Sequence, residues 1–201
     1  MQNKKIVAFF VEGPTEIEFY KAVVKYAHDI MGIQLDCAFD WVNMRGIGNY
    51  KKDALRKFKT LQRNNPGAII YVMLCIDTDV FEFSRKPPID KIAVKASLEE
   101  EGAKKVVFIE AQYSIEDWFL SDFDGVISYL GLPKNTKHIK GKGQTVLKKL
   151  FKSANKVYVK GSNTENFIKS LDIGKIMRKN CASMAILCKT AGFDCGKVCN
   201  K

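Results

Sequence analysis

The chain has 201 residues, 46% hydrophobic and 27% charged, a composition that excludes a disordered protein and supplies one sizeable core. Its formal charge is +11, which points toward polyanionic partners. No apolar run approaches the ~18 residues of a membrane helix, and Glu12, Glu16 and Glu18 interrupt any leader core. A cytoplasmic protein with no membrane partner is expected, and its six cysteines are expected to be reduced. Cys181, Cys188, Cys195 and Cys199 lie near the C-terminus, but only the last two approach zinc-ligand spacing, so buried thiols are the better reading.

Lys5 to Val11 is a continuous apolar run and reads as a strand buried on both faces. Gly13-Pro14 ends it, and Thr15 followed by Glu18 predicts a capping box that opens a helix through about Ile30. Asp36 to Met44 predicts a second strand, a glycine turn follows at Gly46 and Gly48, and Lys51 to Gln62 predicts a basic amphipathic helix. Ala68 to Ile76 predicts a third strand running into Asp77-Thr78-Asp79. A helix over Ile89 to Glu101 and a strand over Lys105 to Ala111 come next. This alternation argues for a parallel sheet with right-handed crossovers. Beyond Ser114 the pattern turns helical: Ile115 to Leu120, Gln144 to Ser153, and Asn163 to about Ala191, with a short strand at Val157 to Val159. The expected organisation is a catalytic core over residues 1–125 and a basic, mostly helical region over 126–201 packed on it.

Glu12 and Asp77 end separate strands of one parallel sheet, the edge where such sheets place ligands. Asp79 lies two residues beyond Asp77, so in extended chain both carboxylates point to the same side. Three converging carboxylates repel unless protonated or bound to a cation, and oxygen-rich sites suit Mg²⁺ or Mn²⁺. From Gly125 to Thr164 there is no acidic residue but a run of lysines. Lys140 and Lys142 stand in a glycine-lysine turn that opens a predicted helix, where a phosphate could be cradled. Lys148 and Lys149 continue on that helix, with Val146, Leu147, Leu150 and Phe151 anchoring it to the core. Trp118 is expected in the core and His138 in solvent.

Val11-Glu12-Gly13 after the first strand and Cys75-Ile76-Asp77-Thr78-Asp79 after a later one resemble the Toprim fold. Glu110 to Leu120 is similar to the stand-alone bacterial Toprim-like proteins, including the RloB-like group and the overcoming-lysogenization-defect nucleases. The resemblance covers about residues 5 to 125. It implies a Toprim-like Rossmannoid α/β sheet flanked by helices. It further implies a metal-dependent nuclease acting on DNA or RNA, tied to anti-phage defence. Glu12 would be a metal ligand or general acid/base, Asp77 and Asp79 the metal-binding pair, and Glu116 an acid for a second metal position. A partner protein from the same system and a homo-oligomer are both compatible with it. The chain lacks room for topoisomerase or primase domains, which leaves hydrolysis.

A phosphatase with Asp77 as nucleophile is the weaker enzyme reading, because such enzymes carry that aspartate on their first strand. From another class, a non-catalytic nucleic-acid-binding or regulatory partner would use only the basic face.

Overall fold

Four strands rich in branched and aromatic residues pair in parallel: β1 (Lys5–Val11), β2 (Ala38–Asn43), β3 (Ile69–Asp77) and β4 (Lys105–Ala111), in the order β2-β1-β3-β4. The computed structural model describes residues 4–29, 37–82, 86–162, 164–194 and 196. Ile30, Asp36, Asn163, Cys195 and Cys199, on which some sequence expectations fall, lie outside the described residues. The fold is the expected α/β sheet flanked by helices.

The strand order decides where the helices go. α1 (Pro14–Asp29) connects β1 to β2 in one direction along the sheet. α2 (Tyr50–Asn64) leads from β2 back across β1 to β3, and α4 (Lys91–Glu100) continues to β4. Right-handed crossovers then place α1 on one face and α2 with α4 on the other. The two apolar clusters follow that division. Phe19, Tyr20 and Val23 of α1 pack with Val7, Phe9 and Val11, while Ala54, Phe58 and Leu98 pack with Ile6, Ala8 and Phe10. β1 is thus buried on both faces, as its unbroken apolar run predicts. Each such aromatic or aliphatic side chain contributes about 1.5–3 kcal/mol by leaving water.

The α1 face also receives the C-terminal helices α5 (Ile115–Phe119), α6 (Phe123–Leu130), α7 (Gly143–Ser153), α8 (Glu165–Lys169), α9 (Ile173–Lys179) and α10 (Cys181–Ala191). The short α3 (Asp79–Glu82) follows β3. Trp118, Phe119, Leu147, Phe167 and Ile176 share one apolar cluster with α1 and β1. His138 is exposed and stacks on Phe123 with ring centroids 3.8 Å apart.

Four local expectations need correction. α1 begins at Pro14 rather than behind a Thr15 cap, since proline fits the first helical position, and the Thr15 hydroxyl serves another partner. The single helix expected to end near Ala191 is three, because the Asp172 side chain caps Lys175 N–H at 2.8 Å and Asn180 interrupts again. Val157 to Val159 forms no strand: the alternation is present, but it places Tyr158 inside and leaves Val157 82% exposed. Cys181 is disulfide-bonded, against the expectation of reduced thiols throughout, whereas Cys75 is a buried thiol.

At their carboxyl ends β1 and β3 stop pairing after Phe10 and Leu74. The buried Tyr50 hydroxyl lies 2.9 Å from the Phe10 carbonyl and 2.6 Å from the Cys75 carbonyl, so one residue of α2 joins both strands where the ladder ends. Tyr50→Phe keeps the ring and removes that link, leaving buried carbonyls without their donor. We expect a loss of about 1–3 kcal/mol in urea unfolding with the fold retained; an unchanged midpoint would show that the hydroxyl does not hold the strands.

Candidate functional site

β2 and β3 lie on opposite sides of β1, so the gap beyond Phe10 and Leu74 is the topological switch point, where open α/β sheets leave a crevice for ligands. The chain closes around Glu12 here. Met44 N–H donates to the Val11 carbonyl at 2.7 Å, and Gly46 N–H donates to the Glu12 carbonyl at 2.8 Å. Gly46 has φ 103°, a backbone that glycine adopts without strain. The Glu12 side chain then crosses the gap, its Oε1 accepting the Asp77 N–H at 3.0 Å. One glutamate therefore replaces the missing rung of the sheet.

Asp77 is the last residue of β3 and only 7% exposed. Its Oδ1 accepts the Ile115 N–H at 2.9 Å, which ties β3 to the start of α5. The loop beyond it is clamped to the end of β4. Thr78 N–H donates to the Ala111 carbonyl at 3.1 Å, Asp79 N–H to the Tyr113 carbonyl at 3.0 Å, and Tyr113 N–H to Thr78 Oγ1 at 2.8 Å. Tyr113 sits at φ 64°, in the left-handed region that a non-glycine residue seldom adopts. Asp79 opens α3, so the extended-chain alternation that would align it with Asp77 ends at Asp77. It remains close enough to add repulsion at Glu12.

Glu116, in the first turn of α5, is 1% exposed and its Oε1 accepts the Tyr158 hydroxyl at 3.0 Å. Glu12, Asp77 and Glu116 are thus brought to one place, with Asp79 at the margin. Two residues that sequence reasoning did not assign to the site complete it. Glu16, in the first turn of α1, is 3% exposed. The Lys160 ammonium lies 2.8 Å from Asp77 Oδ2, 2.9 Å from Glu16 Oε1 and 3.9 Å from Glu116 Oε2. Glu16 Oε1 meets the ammonium as an ion pair, and neither buried Glu16 oxygen has a hydrogen bond. Gly161 N–H donates to Thr15 Oγ1 at 2.6 Å and fixes the chain beside Lys160.

The electrostatics are unbalanced. Burial pushes Asp77 up to about 7, with Glu12 and Glu16 adding to the rise and Lys160 opposing it. Burial also raises Glu12, against the Asp77 N–H bond and Lys160. Burial pulls Lys160 down, but Asp77, Glu16 and Glu116 outweigh it and hold the ammonium above its ordinary value. One ammonium is too little positive charge for the carboxyl groups around it. Such a set of hard oxygen donors suits Mg²⁺ or Mn²⁺ in chemistry. In arrangement, no group of three or more acid, His or Cys side chains among the described residues stands at ion-holding spacing, and an ammonium lies between the carboxylates.

The predicted lysines are exposed: Lys140, Lys142, Lys148 and Lys149, with Lys142 3.9 Å from Glu82. Val146, Leu147, Leu150 and Phe151 turn inward, as expected. The glycine-lysine turn, however, does not leave its first N–H for a phosphate. Gly143 N–H donates to Asp117 Oδ1 at 2.9 Å, and a Cβ on Gly143 would lie 2.4 Å from the Asp117 backbone nitrogen. That packing sets the start of α7 against α5, one residue from Glu116. A second basic row, Lys52, Arg56, Lys59 and Arg63, follows α2 on the opposite side of the sheet and lines a cavity of about 570 Å³.

A folded Asp77 binds its proton more tightly than an unfolded one, so between roughly pH 4 and pH 7 rising pH removes stability through this group. In chelator, the melting temperature of the wild type should fall from about pH 5 to about pH 8 more than that of Asp77→Asn. Parallel curves for the two proteins would place the titration elsewhere.

No family model, no curated protein and no solved structure matches this chain.

Proposed function

We propose that the protein is a Mg²⁺- or Mn²⁺-dependent phosphodiesterase that cleaves nucleic acid, DNA or RNA, with Glu12, Asp77, Asp79 and Glu116 as its acidic centre. The observation that carries this reading is the convergence at the switch point of the half-buried Glu12, just past β1, with the buried Asp77 of β3 and Glu116 of α5, beside the lysine-bearing α7. A divalent ion held by these carboxylates would activate water and stabilise charge on the phosphate. Glu12 is oriented by the Asp77 N–H and raised by burial, which fits it to take and return a proton. Asp77 and Glu116 are aimed by the Ile115 N–H and the Tyr158 hydroxyl. Lys140, Lys142, Lys148 and Lys149 carry the affinity for the phosphate backbone. An effector role in phage defence, with a protein partner from the same system, belongs to the same proposal and rests on the Toprim resemblance.

The ammonium already seated among the carboxylates favours a second reading, a non-catalytic nucleic-acid-binding or regulatory protein. The two readings part in one assay: plasmid, single-stranded DNA and total RNA, each with Mg²⁺, Mn²⁺ or chelator. The phosphodiesterase reading expects ion-dependent cleavage in the wild type, and in Glu12→Gln its loss with binding preserved. Cleavage at full rate by Glu12→Gln would remove that residue from the chemistry. Binding without turnover in any ion would leave the second reading.

The basic helix has its own test, on the Glu12→Gln background with Ca²⁺. Each lost phosphate contact lowers the slope of log affinity against log salt by ~0.7–0.9. Lys148→Ala with Lys149→Ala should lower that slope by about one to two. If the slope holds there and falls for Arg56→Ala with Lys59→Ala, the nucleic acid runs along α2 instead.

A further inference from the structure

Lys160 reaches the carboxylates from the segment between α7 and α8, in the part of the sequence without acids. Val157 and Val159 on that segment are 82% and 51% exposed, while Tyr158 is buried and Lys160 points inward. The ammonium meets oxygens of two elements, Glu16 of α1 and Asp77 of β3, and has a third, Glu116 of α5, at 3.9 Å. With the ammonium between them, these acids face a common point but do not stand at ion-holding spacing.

Two features set this lysine apart from an ordinary buried ion pair. The acids around it are 3%, 7% and 1% exposed, so none of them is neutralised by bulk water. Glu16 Oε1 is met by the ammonium as an ion pair, but its buried Oε2 has no hydrogen-bond partner, a costly arrangement that a further cation would relieve. Its Oε2 would stand 3.2 Å from a Cβ on Gly13, so it faces the chain beside Glu12. The spacing is that of an ammonium. Nζ lies 2.8–2.9 Å from its two nearest oxygens and 3.9 Å from the Glu116 oxygen, whereas Mg²⁺ demands ~2.0–2.1 Å, so around an ion Glu16 and Asp77 would close by about 0.8 Å and Glu116 by about 1.8 Å.

We infer that Glu16, Asp77 and Glu116 outline a divalent-cation position which Lys160 fills in the ion-free protein, so that an arriving ion exchanges with the ammonium. The inference rests on the reading of this cluster as a divalent-ion site, and it adds Glu16 as a ligand and Lys160 as the ion's competitor. The exchange needs no unfolding. Lysine carries its charge on a flexible four-carbon stem, while the backbone at Gly161 stays bound to Thr15. Coulomb repulsion between the incoming ion and the ammonium makes joint occupancy unfavourable in a site this buried.

Two measurements on the intact protein test this with Mn²⁺ alone as the probe. By calorimetry, Lys160→Met should bind Mn²⁺ about tenfold more tightly or better than the wild type, and Glu16→Gln should bind it more weakly. By amine acetylation and mass spectrometry of the wild type, Lys160 should be protected in chelator and become labelled when Mn²⁺ is added. The labelling needs no variant, so it decides the matter even if Lys160→Met fails to fold. Mn²⁺ binding with Lys160 still protected, or with affinity unchanged in Lys160→Met, overturns the exchange and leaves the ion site standing. Absence of Mn²⁺ binding in the wild type and both variants overturns the ion site itself.

Discussion

Beyond Phe10 and Leu74 the two central strands share no ladder, and the backbone groups left at their ends must find other partners or pay for their burial. They find side chains. Tyr50 takes the carbonyls of Phe10 and Cys75, and Glu12 takes the N–H of Asp77. Because Glu12 is committed to that bond, its carboxylate is held in the crevice rather than released to water. The strand order that opens the crevice therefore also loads it with an acid. Asp77, Glu116 and Glu16 follow, each at the junction of a strand or helix with the same gap.

The C-terminal region answers this concentration of negative charge in two ways. Lys160 enters the cluster, and the α7 start is packed on α5 through Gly143 and Asp117. Asp117 accepts from Ser114 N–H and Oγ as well as from Gly143, so it organises α5 and α7 together. A helix start that already faces a carboxylate offers little to a phosphate. Attraction for a polyanion must then come from ammonium groups on long stems, which follow a backbone without demanding one spacing.

Much of the architecture was legible in the residues. Continuous apolar runs marked β1 and β3, glycine and proline marked the turns, and alternation of strand and helix marked the parallel sheet. The acids at the ends of β1 and β3 were legible for the same reason, since a strand's end fixes where its next residue stands. What could not be read was pairing across the chain. Glu16 looked like any first-turn helix acid, and its burial depends on a segment 144 positions later whose lysine meets it. Lys160 was hidden among lysines that do face solvent. A trace of it was present in Val157-Tyr158-Val159-Lys160, whose alternation sends the tyrosine and the lysine to one side. The same period also predicts a strand, but among the described residues no strand pairs with it. The breaks in the C-terminal helical stretch are not legible in its periodicity, because capping by Asp172 competes with continuation.

The Thr15–Gly161 bond spans 146 positions and the Asp77–Lys160 bond spans 83. Closing loops of that size costs more chain entropy than forming local helix turns, so these contacts are expected to form after the local ones. The sheet can assemble from its nearer neighbours first and bring Glu12, Glu16 and Asp77 together while the lysine is still distant. During that interval the acids would be crowded without their cation, and the crevice would resist closing until residue 160 arrived. The chain thus brings a distant segment to the point of greatest electrostatic tension. On a ribosome that ordering is automatic, because Lys160 emerges only after every strand of the sheet has been synthesised.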